Sequence, residues 1–182
     1  MTRSPKAASI CTKALFAGCI VTLLVGGSFL HARGADFSAY EQLGKRAMAQ
    51  LISGNIDEKT FAAEMDDLIN MGIEAATAYG NENPESKKMM SILVENALGM
   101  KQMDLDTIES QWHDGGVYLA NGINSNAMDH FSREMCLTDL IVHPSTASIC
   151  VREFFKTNDK NYLAQAKAEI KEVLEHLHTL EE

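Results

Sequence analysis

From Ser132 to Val142 the chain follows a strongly helical pattern and is apolar nearly all the way round. A helix without a polar face has to be buried inside a fold. Helical periodicities lie on both sides of it and no alternating β pattern occurs, so the expected class is all-α. The expected architecture is a bundle of about five to six helices after an N-terminal signal segment.

The positions Phe37, Tyr40, Leu43, Ala47 and Leu51 predict a first helix over about 37–52, stopped at Gly54-Asn55. Phe61, Met65, Leu68, Ile69 and Ile73 predict a second over about 58–79. Asn83-Pro84 reads as the start of a third, ending near Leu98. Asp104 opens a short fourth helix through Leu105, Ile108 and Trp112, which stops at Asp114-Gly115-Gly116; from there to Phe131 the chain reads as loop. After Pro144 a helical stretch carries Ile149, Val151, Phe154 and Phe155, and a last helix over about 159–180 lines up Leu163, Ala166, Ile170, Val173, Leu174 and Leu177.

Ahead of this domain, Arg3, Lys6 and Lys13 precede an apolar run of 17 residues, Ala14 to Leu30, and then Ala32-Arg33-Gly34-Ala35. A basic head, an apolar stretch and small residues form the pattern of a secretory signal. Residues 1–34 are therefore expected to be a signal peptide cut after Gly34, or alternatively after Ala35, and 35–182 a single helical domain that is periplasmic or extracellular. The alternative is an uncleaved anchor, since 17 residues is at the low edge of a spanning helix. The segment takes four of the 16 basic residues and no acidic one, leaving 12 against 25. So acidic a surface disfavours nucleic acid and anionic lipid, leaving membrane contact only through an uncleaved N-terminus.

Cys136 and Cys150 are the two cysteines beyond the signal, and an exported pair suggests one disulfide. On one uninterrupted helix they would lie about 21 Å apart, far beyond the roughly 7 Å a bridge allows. A bridge therefore requires a chain reversal at His143-Pro144, where the residue before proline is pushed from helical geometry. A kinked helix with two buried free thiols is the alternative.

No P-loop, Gly-x-Ser-x-Gly, His-Glu-x-x-His or Cys-x-x-Cys motif occurs, which removes the commonest nucleotide, hydrolase, zinc-protease and thiol-redox readings. What remains is the stretch 109–146. Glu109 and His113 are four apart and share a helix face, Asp139 and His143 repeat that spacing, and His130 ends the loop between them. An ionised Asp139 in so apolar a segment is costly unless paired or ligated. Three imidazoles and these carboxylates suit zinc, iron, nickel or copper if they converge. Plain structural hydrogen bonding accounts for the same spacing without a metal.

Trp112, Tyr118, Ser145 and Thr146 are candidates to line a small-ligand pocket, while His176 and His178 flank the apolar stripe of the last helix and read as solvated surface. Nothing marks a nucleophile and its base, and no catalytic residue is assigned. The first functional expectation is an exported, non-enzymatic domain that binds a small ligand or a protein partner through 109–146. The second is a metal-binding bundle, redox or metal-handling, built on His113, His130, His143, Glu109 and Asp139. A hydrolytic or transfer enzyme ranks third.

Overall fold

A computed structural model describes residues 37–181, so the expected signal peptide 1–34 and the expected cleavage boundary lie outside the described residues. Within them the chain forms seven α-helices and no strand: α1 Ser38–Ser53, α2 Glu58–Glu82, α3 Lys87–Met100, α4 Leu105–Ile108, α5 Gly116–Ala120, α6 Arg133–Thr157 and α7 Lys160–Glu181. None of them is long and apolar enough to cross a membrane.

The all-round apolar helix is α6. It packs on α7 and α2 most extensively and also on α3 and α4, while α1 lies across α7 and α2. Enclosed in this way, every residue from Cys136 to Ala147 is buried. Its entry is fixed by the Ser132 hydroxyl, which accepts from the Met135 amide at 3.4 Å. Its exit is fixed by Asn158 in the left-handed conformation, φ 59°, a common way to stop a helix.

Pro144 lies inside α6 without ending it. Proline has no N–H, so the Leu140 carbonyl one turn earlier loses its partner. The Tyr40 hydroxyl of α1 donates to that carbonyl at 2.7 Å. On the α2 side, a Cβ at Gly72 would meet the Leu140 carbonyl oxygen at 3.0 Å and Ile141 Cγ1 at 2.7 Å. Only a residue without a side chain allows α2 so close to the proline turn. Ser145 and Thr146 close the local accounting, donating to the carbonyls of Ile141 at 2.8 Å and Val142 at 3.0 Å.

This continuity corrects the expected Cys136–Cys150 disulfide. The two cysteines are on one unbroken helix, both are free, and both are buried; burial pushes their thiols up to about 11 and about 12. The chain does not reverse at His143-Pro144 because Tyr40 supplies the donor that proline lacks. The third helix is corrected as well: Asn83 closes α2, bonding the Tyr79 carbonyl from its amide and side chain at 2.9 Å each, and α3 begins at Lys87. The expected loop after Gly116 holds α5 and a 3₁₀ turn, Ser125–Ala127.

Tyr40→Phe should cost about 1–3 kcal/mol by stranding a buried carbonyl. In a Pro144→Ala background, where the restored amide can reach Leu140, the same change should cost clearly less. Equal costs in a denaturation cycle would show that the hydroxyl and the proline are not coupled.

Candidate metal centre

Three helical segments, together with His130 from the loop before α6, bring imidazoles and carboxylates together around the middle of α6. The first is the continuation of α4, whose last turn, Glu109–His113, is a π-turn closed by the Asp114 amide on the Glu109 carbonyl at 2.8 Å. Such turns concentrate at functional sites because the extra residue re-aims the side chains. Gly115, with φ 72°, lets the chain leave this turn, and a Cβ there would meet Ser125 Oγ at 2.3 Å. His113 is thereby held half-buried, with Nε2 at 3.1 Å from Thr146 Oγ1.

The second segment is α6, carrying Asp139 and His143 one turn apart. The third is α7, where Glu169, Glu172 and His176 follow one another along the side facing α6. His143 Nδ1 and Glu169 Oε2 are joined by a 2.7 Å hydrogen bond, and His113 Nε2 stands 3.8 Å from the same oxygen. The other nitrogen of His143 faces Asp139 Oδ1 at 3.7 Å and Glu172 Oε2 at 3.8 Å. His176 Nε2 lies 3.3 Å from Asp139 Oδ2, yet out of hydrogen-bond alignment, leaving that buried oxygen without a hydrogen-bond partner.

The imidazoles form a row. Ring centroids are 5.2 Å apart between His113 and His143, 6.0 Å between His143 and His176, and 4.8 Å between His176 and His130. Two three-residue sets result, His113/His143/Glu169 and His130/Asp139/His176, in each of which the potential ligand atoms lie within 4.8 Å of one another. Both have two imidazoles and one carboxylate.

Of the residues singled out in the sequence, His113 and His143 therefore meet in one set, and His130 and Asp139 in the other. Glu109 stays exposed and belongs to neither, near enough for its charge to act on His113, His143 and Glu169. Glu169 and His176 were missed. His176 is 2% exposed, which corrects its reading as surface; His178 is exposed.

The ligand-pocket candidates are all buried. Trp112 and Tyr118 pack edge to face at 5.7 Å in the core, the Tyr118 hydroxyl is bonded to Thr138 at 3.0 Å, and Ser145 and Thr146 bond their own helix. Thr146 contributes to the centre by holding the His113 ring.

Burial dominates the electrostatics. It pushes Asp139 up to about 8, with the Glu172 and Glu169 charges adding, and Glu169 up to about 7. It pushes His143 and His176 down to about 4 and lowers His113. Among the described residues no lysine or arginine pairs with Asp139 or Glu169; the groups that face them are the histidines.

Comparison of the chain with protein-family models, with curated proteins and with solved structures gives no match.

The shifts fix how metal-free protein responds to pH. Asp139 keeps its proton in the fold up to about 8, whereas the ordinary carboxyl loses it near 3.8. Over that window the unfolded chain binds fewer protons, so this group lowers stability as pH rises. His143 and His176 act oppositely, costing stability as pH falls from the ordinary 6.5 toward about 4. Above pH 6.5 only the carboxylate effect remains. Chelator-treated protein should lose on the order of 2 kcal/mol between about pH 6.5 and 8 in chemical denaturation. A flat profile there would mean that Asp139 is already ionised in the fold.

Proposed function

We propose that this is a metal-binding helical-bundle protein whose centre holds a divalent transition-metal ion on His113, His143 and Glu169. The observation that carries the reading is that set itself, three ligand-capable side chains from three segments within 4.8 Å of one another. Two neutral imidazoles and one carboxylate are a donor set suited to zinc or ferrous iron, with nickel and copper also fitting the nitrogen ligands. The low pKa values of the imidazoles favour this, because only a neutral imidazole offers a lone pair to a metal.

Three protein ligands leave coordination positions for water or a substrate, as in metal sites that do chemistry and unlike closed four-ligand structural sites. Ion binding here therefore fits Lewis-acid or redox work, or metal handling. Support also comes from the carboxylates, which have no lysine or arginine beside them and gain a counter-charge from a cation.

Binding of a small ligand or a protein partner through 109–146 has less support, since the hydroxyls of Tyr118, Ser145 and Thr146 are engaged within the fold. The basic and apolar N-terminal pattern supports export, so the proposed place of action is the periplasm or the exterior.

Purified protein stripped with chelator and reloaded with Zn(II) or, anaerobically, Fe(II) should take up metal in elemental analysis. Zinc at a hundred times its dissociation constant should then stabilise the fold by about 2.7 kcal/mol. His113→Ala, which alters a half-buried side chain, should remove one ion per chain. Uptake that is absent, or indifferent to His113, would overturn the reading.

A further inference from the structure

We infer that a second divalent transition-metal ion binds to His130, Asp139 and His176, beside the first, so that the protein carries a two-metal centre. The inference rests on the proposed first site and extends it along the row of imidazoles. Its own observation is Asp139. That residue is 7% exposed, and its Oδ2 is buried without a hydrogen-bond partner, aimed at His176. A buried carboxylate oxygen left in this state costs free energy that a coordinated cation removes.

The remaining parts fit a ligand set. His176 Nδ1 lies 3.4 Å from the Cys136 sulfur. That contact holds the ring and leaves Nε2 facing Asp139, as outer partners of metal-bound histidines do. His130 reaches in from the loop before α6, its ring edge-on to His176 and also against Phe131 at 5.2 Å. His130 and Phe131 are exposed, so this set opens to solvent at the loop.

The two sets adjoin through His143, whose Nδ1 is bonded to Glu169 of the first and whose Nε2 faces Asp139 of the second at 3.7 Å. Glu172 stands against that same Nε2 at 3.8 Å, its side chain 54% exposed, and offers a further carboxylate to either ion.

The test is a stoichiometric titration of chelator-stripped protein with Zn(II) and with Co(II), read by elemental analysis and by cobalt absorption. Two ions per chain are expected in the wild type, one in His113→Ala, one in His130→Ala, and none in the double variant. His130 is an exposed loop residue, so its replacement leaves the core intact, and circular dichroism confirms the fold. Replacing a partner of a metal ligand typically costs 10–100-fold in affinity, so loss of His130 itself should weaken the second site by at least about 100-fold. One ion in the wild type that His130→Ala retains and His113→Ala loses would overturn the second site while leaving the first. One ion lost in either variant would mean that both sets serve a single ion, and would also overturn it. One ion kept in His113→Ala but lost in His130→Ala would overturn the first site and with it the pair. No uptake at all would overturn both.

Discussion

Helix α6 has no face turned to water from Cys136 to Ala147, and a helix in that position must find a partner inside the protein for each polar group it carries. An unsatisfied buried group costs about 1–3 kcal/mol, so α6 dictates what its neighbours present to it. Thr138 is met by Tyr118 and by the Glu134 carbonyl. The carbonyl left over by Pro144 is met by Tyr40, and the hydroxyls after the proline turn back on their own helix. Asp139 and His143 are the expensive members, and they account for the unusual content of α7, which lays Glu169 and His176 into the core beside them.

The cross-helix pattern follows from the cost of burying charge. Protein neutralises most of the cluster by shifting protons, keeping imidazoles neutral and Asp139 and Glu169 protonated well above the usual carboxylate range. That arrangement is tolerable but incomplete, since Asp139 Oδ2 still lacks a hydrogen-bond partner. A bundle that needed only stability would do better with apolar residues of similar volume here. Four imidazoles in a row with buried carboxylates are the arrangement on which the proposed metal centre rests.

Much of this was legible in the sequence, and the failures have definite causes. The all-α class and the burial of α6 followed from periodicity, and Asp139 stood out because a carboxylate is costly in Met135–His143. The partners of Asp139 were harder to find because they come from α7, where Glu169 and His176 look like surface polar residues when taken singly. Their signal was in the register. Ala166, Glu169, Ile170, Val173, His176, Leu177 and Leu180 are the buried residues of α7, spaced at three and four, so both polar residues occupy steps of the apolar stripe. Pro144 misled in the opposite direction. Its break in the hydrogen-bond ladder is local, but the repair comes from Tyr40, 104 residues earlier in the numbering, and nothing near the proline announces it.

An acid stands four residues before an imidazole three times, at Glu109/His113, Asp139/His143 and Glu172/His176, and within a single helix each would be no more than a pair of neighbours. In the fold the closest partners are exchanged between segments: His113 and His143 face Glu169, and His176 faces Asp139. Side chains drawn from three segments are fixed relative to one another only by the packing of those segments, which makes the geometry of the centre a property of the tertiary fold. The middle pair is buried, while Glu109 and Glu172 remain exposed at the edge. Negative charge at an open edge attracts cations from solution, and on the proposed reading the buried side chains would be where such a cation is held. The acidic balance of the chain, which alone says little beyond solubility, acquires a direction once these carboxylates are seen to lie around one row of imidazoles.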